Sequence, residues 1–91
     1  MAGTRAAAPL PITAEQRADL EAIAASPSLP HRAVRQAEGL LDAAAGLPNE
    51  EIGRRHGVSA NTVRAWRKAF AGRGVAGVGF RRTLGRVVAR I

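Results

Sequence analysis

Alanine narrows what this chain can become more than any other feature. It supplies 20 of the 91 residues. It is the strongest helix former and brings almost no side-chain volume. β-branched and aromatic runs of strand length are absent, so there is little from which to build a sheet. The aromatics are Trp66, Phe70 and Phe80. The expected architecture is all-α, with short helices meeting closely around a thin core. A chain this short holds one domain, because two would each be too small to bury a core. Hydrophobic residues at 46% are not the composition of a disordered protein.

Proline, glycine and capping residues divide the chain. Residues 1–11 read as a flexible leader ending in Pro-Leu-Pro. Thr13-Ala14-Glu15-Gln16 has the form of a capping box, which predicts a first helix to about Ala25 with Leu20, Ile23 and Ala24 inward. Ser26-Pro27-Ser28-Leu29-Pro30 breaks it, since proline lacks an amide donor and disfavours helix in the residue before it. A second helix is expected from about His31 to Ala45, with Val34, Ala37, Leu41 and Ala44 at helical spacing and Leu40 beside them. Gly39 sits inside it, either at a close helix crossing or as local weakness. Gly46 is its natural C-cap, with Leu47 as the following apolar contact. Pro48 and Asn49 open a third helix, Glu50 to about His56, and Gly57 ends it. Ser59 caps a fourth, about Ala60 to Ala71, which Gly72 and Gly74 end. From Gly74 onward a short final helix and an extended basic arm fit equally well. The expected organisation is a leader (1–11), a helical domain (12–78) and a basic arm or linker (79–91).

Charge is divided as sharply as structure. Residues 1–51 hold four basic residues against all seven acids, a net −3; residues 52–91 hold ten basic residues and no acid, a net +10. A one-signed block of this size is a polyanion-binding footprint, since ordinary surfaces mix both signs. The chain has no cysteine, which excludes a disulfide framework and any Cys-based zinc site. No apolar run has the length of a signal peptide core or a membrane span. The expectation is a cytoplasmic, nucleoid-associated protein.

The charge change coincides with the segment NEEIGRRHGVSANTVRAWRKAF, residues 49–70. Its spacing is that of a helix-turn-helix over about 49–71. Ile52 and Val58 face inward, Gly53 is small where the helices approach, and Gly57 supplies the turn. Val63, Trp66 and Phe70 form the buried stripe of the second helix. At about 100° per residue, Asn61, Arg64, Ala65 and Lys68 point the other way, into a major groove. Asn61 suits adenine; Arg64 and Lys68 suit guanine or phosphate; the Ala65 methyl suits a thymine methyl. Ser59 and Thr62, at the helix N-terminus, favour a phosphate. Arg54, Arg55 and Arg67 are expected on the DNA backbone, and Arg81, Arg82 and Arg86 in the tail are further candidates. His56 reads as a partly buried packing residue, and neither it nor the isolated His31 has companions for a metal site.

The region from about Ile12 to Val78 resembles the N-terminal part of insertion-sequence transposases of the IS630 family, related to Tc1/mariner. The resemblance is carried mainly by EEIGRRHGVSANTVRAWRKAF and the following GVAGV, and more loosely by Leu20 to Leu41. It implies a homeodomain-like helix-turn-helix that binds transposon ends, with Ala60–Ala71 as recognition helix. The family pattern continues into a Gly-Arg-Pro linker that can lie in the minor groove. Here Leu84-Gly85-Arg86-Val87 lacks the proline. Gly39 also stands where the pattern has a larger apolar residue. Such transposases cut DNA with an Asp-Asp-Glu set holding two metal ions, and no acid follows Glu51 here. The chain is therefore expected to be no enzyme and to take no cofactor, metal or small-molecule substrate.

The leading expectation is sequence-specific binding of double-stranded DNA by a transposase-type module. A stand-alone transcriptional regulator shares that chemistry. A different class, a helical interaction domain, would use the acidic, alanine-rich first half as a homodimer interface.

Overall fold

The computed structural model describes residues 8–78. Helices α1 (Ala14–Ala24), α2 (His31–Ala44), α3 (Asn49–His56) and α4 (Ala60–Arg73) follow in order, and a 3₁₀ turn, Gly74–Gly77, succeeds them. Among the described residues there is no strand. The fold is all-α as expected, with α4 two residues longer than its sequence signals suggest.

Local chemistry sets the helix ends. The Thr13 hydroxyl accepts the Gln16 amide at 2.9 Å, and Gln16 Oε1 accepts the Thr13 amide at 2.9 Å, completing the capping box. Gly46, at φ 94°, turns the chain out of α2. Its amide donates to the Ala43 carbonyl at 3.0 Å and the Leu47 amide to Asp42 at 3.2 Å, the paired bonds of a Schellman motif. Gly57 ends α3 at φ 71°, ψ 32°, a left-handed conformation that a side chain would strain. The Ser59 side chain caps α4 by accepting the Thr62 amide at 3.1 Å.

The largest fully buried side chains are Leu20, Ile23, Leu40, Ile52, Val63 and Val78, so all four helices and the final turn share one core. On α2 the buried stripe is Ala33, Ala37, Leu40 and Ala43, while Val34 and Leu41 only flank it. The seam is thus rotated by about one position from the expected Val34–Ala37–Leu41–Ala44 line. Alanines face the neighbouring helices because only small residues allow backbones to come close. Gly39 is the extreme case. A Cβ there would meet Trp66 Cζ3 in a hard clash and stand 2.8 Å from Trp66 Cε3, so Gly39 marks a close approach between α2 and α4. Trp66 is correspondingly half-buried, its ring lying over α2, while Val63 and Phe70 are buried at 1% and 4% exposure.

Segments read as connections also reach the core. Leu10, expected in the leader, is 7% exposed, and its amide donates to the Ala43 carbonyl at 3.0 Å. Leu29 is buried inside the Ser-Pro break, where Ser26 Oγ accepts its amide at 3.2 Å. Val78 is wholly buried, and the turn before it is held by Gln36, whose Nε2 donates to the Gly77 carbonyl at 3.1 Å. The buried core cluster thus takes in residues from Leu10 to Val78.

Candidate nucleic-acid interface

The unit that presents the site is α3–turn–α4. The Gly57 and Val58 amides both donate to the Gly53 carbonyl, the latter at 2.9 Å, which folds the turn back on α3. A Cβ on Gly53 would stand 2.5 Å from the Val58 carbonyl oxygen. The tightness that Gly53 permits is therefore against the turn's own backbone. Ile52 (0% exposed) and Val63 (1%) anchor the two helices, with Val58 packed against the core.

With α4 anchored by Val63 and Phe70, its opposite face is free. Asn61, Arg64, Ala65 and Lys68 are all exposed. Two of them are bonded: Arg64 Nη1 donates to Asn61 Oδ1 at 2.6 Å. From residue 52 to 78 the chain carries six basic residues and no acid, so α4 itself bears only positive charge.

The remaining candidates are placed differently from one another. Arg54, 71% exposed, is paired with Glu51 at 2.7 Å one helical turn back. Arg55 lies 3.4 Å from Asp42 of α2. Ser59 and Thr62 are engaged with each other: besides the amide bond, their hydroxyls lie 3.1 Å apart. Arg67 flanks the buried stripe. Its position is roughly 40° around the helix from Val63, so it leans on the body of the domain. Nη2 donates to the Ala8 carbonyl at 2.7 Å, and Nη1 is buried without a partner. In the free protein this guanidinium ties the N-terminal segment to α4. Arg81, Arg82 and Arg86 lie outside the described residues.

His56 does more than pack. Its side chain is 12% exposed and Nε2 lies 2.9 Å from Asp42 Oδ2, with Nδ1 3.8 Å from Glu38. An ionised carboxylate only accepts, so Nε2 is the donor. Asp42 thereby meets both His56 and Arg55, with Glu38 beside them, and α3 is clamped to α2. Nothing local in the sequence signals this pairing across 14 positions. Among the described residues no group of three or more His, Cys, Asp or Glu could hold a metal ion, and no helix is long and apolar enough to cross a membrane.

The family model of the homeodomain-like domain matches residues 30–79, more than half of the chain. The match opens at the start of α2 and so takes in α2, α3, α4 and the 3₁₀ turn. No curated protein and no solved structure matches the chain.

Proposed function

The chain belongs to the homeodomain-like family, whose helix-turn-helix suggests duplex DNA as partner, and on that premise we propose that it binds a specific duplex site through the exposed face of α4. One observation carries the reading. A helix whose opposite side is buried at Val63 and Phe70 presents Asn61, Arg64, Ala65 and Lys68 to solvent at the head of an acid-free stretch. Such a helix fits the major groove with its N-terminal residues nearest the base edges. Arg54 and Arg55 on α3, with Ser59 and Thr62 at the start of α4, flank that face and supply phosphate contacts. Arg54 exchanges an exposed ion pair for phosphate, which costs little. Arg67 joins them only by releasing Ala8.

The biological role we propose is recognition of mobile-element ends by a transposase-type module acting at the nucleoid. The support is the resemblance of Ile12–Val78 to transposase N-terminal regions. A regulator built on the same module would use the same contacts. The test is selection of binding sites from random duplexes with the purified chain. A consensus matching the terminal repeats of an element that encodes the chain supports the transposase reading, and a consensus in promoters supports the regulator. An inverted-repeat consensus indicates a dimer. Recovery of no preferred sequence refutes specific binding.

A further inference from the structure

Asn61 and Arg64 are joined on the exposed face of α4. The two residues are three apart, so they are neighbours on the helix surface. The bond joins Arg64 Nη1 to Asn61 Oδ1 at 2.6 Å, and both side chains are exposed on the side away from Val63. We infer that Arg64 is the base-reading residue of this face, that it selects guanine, and that Asn61 is its positioning residue. The inference rests on the DNA-binding reading above and assigns roles within it.

The chemistry follows from donor and acceptor counts. Arginine has five N–H donors in a planar fork and no acceptor. One Nη1 donor goes to Asn61, which leaves the Nη2 and Nε donors side by side. Guanine offers two acceptors, N7 and O6, on its major-groove edge, and matches that pair. Adenine offers one acceptor and one donor. To read adenine, Asn61 would accept from N6 with the second lone pair of the oxygen that already accepts from Arg64, bringing the two donors side by side. The adenine amino group would then meet a guanidinium that can only donate. The paired arrangement therefore disfavours adenine and favours guanine. A free arginine must also lose side-chain entropy when it docks, and part of that loss is already taken in the bonded state.

The variant Asn61→Asp separates the two roles. Aspartate keeps an oxygen to hold Arg64 but has no N–H to give adenine N7. The experiment selects sites with the full 91-residue chain. It then measures wild type, Arg64→Ala, Asn61→Ala and Asn61→Asp on the selected duplex, on duplexes with each contacted G·C replaced by A·T, and on scrambled DNA. Ratios between duplexes cancel the general repulsion of the added carboxylate by phosphate. The expected result is a guanine whose replacement weakens wild type roughly ten- to a hundredfold. Arg64→Ala should be indifferent to that replacement, Asn61→Asp should keep the preference, and Asn61→Ala should blunt it. Equal helicity of all four proteins by circular dichroism separates these effects from misfolding. A required adenine, lost in both Asn61 variants while Arg64→Ala weakens every duplex alike, overturns the inference and leaves the DNA-binding reading standing. Failure to enrich any site overturns both.

Discussion

Replacing Gly53 by alanine sets two known effects against each other. Alanine in a helix interior is favoured over glycine by about 1 kcal/mol. Gly53 lies within α3, so this gain is available. Against it, the new Cβ would stand 2.5 Å from the Val58 carbonyl oxygen and 3.4 Å from the Ser59 carbonyl carbon. The obstacle is backbone, and that backbone is held by the Val58 amide on Gly53 at 2.9 Å and by the Ser59 cap on α4. It cannot rotate aside as a surface side chain could. Overpacking of this kind costs typically 1–3 kcal/mol, and a backbone obstacle puts it in the upper half of that range, about 2–3 kcal/mol. The clash should therefore win, with a net loss of about 1–2 kcal/mol against a total stability of roughly 5–10 kcal/mol for a domain of this size. That corresponds to a fall in Tm of roughly 5–15 °C. Thermal and urea melts followed by circular dichroism measure it. Gly72→Ala is the control, because Gly72 is exposed in α4 and a Cβ there meets nothing within 4 Å. It should be neutral or slightly stabilising. A Gly53→Ala protein as stable as wild type would refute the argument that the turn is packed to its limit.

Affinity for DNA should fall on the order of a thousandfold between about 50 and 200 mM salt if about six phosphates are neutralised, and a flat titration would contradict the role given to the basic face. Trp66→Ala should lower stability by about 3 kcal/mol, the low end for a buried tryptophan because the ring is half-exposed; an unchanged urea midpoint would remove the indole from the core. His56→Ala should cost about 1–2 kcal/mol by leaving Asp42 short of a donor, read by the same melts, with no change in helicity before the transition. Arg67→Ala should lower Tm by several degrees through loss of the Ala8 tie, and an unaltered Tm would show that the tie carries no weight in solution.

The parts of this fold legible in the sequence are those fixed by neighbours along the chain. Thr13 with Gln16, Gly46 with Leu47, Gly57 and Ser59 each act within a few residues, and each sits where its spacing placed it. The exposed and buried sides of α4 were legible for the same reason, since helical periodicity is local. What was hidden depends on contacts across the chain. Larger residues drew the α2 seam toward Val34 and Leu41, but closeness to other helices selected Ala33 and Ala43. Leu10, Leu29 and Val78 are single apolar residues in segments without periodicity, so no pattern could mark them. The ambiguity at Gly39 closes only when Trp66 is seen above it. Arg67 carries the same charge as Arg64 and its place beside the stripe follows from helical periodicity, but its bond to Ala8 depends on an N-terminal segment whose path no local signal gives.

The contact between Trp66 and Gly39 also gives the molecule an optical signature. The chain has one tryptophan and no tyrosine, so its emission excited at the red edge of aromatic absorption comes from a single indole. That indole lies at the joint between α2 and α4, on the helix that presents Asn61 and Arg64 but turned away from them. A shift of α4 against α2 changes the water around the ring, whereas a ligand on the exposed face that leaves the joint intact does not. Intrinsic fluorescence thus distinguishes rigid docking of the helix-turn-helix from docking that reorients it, with no label added.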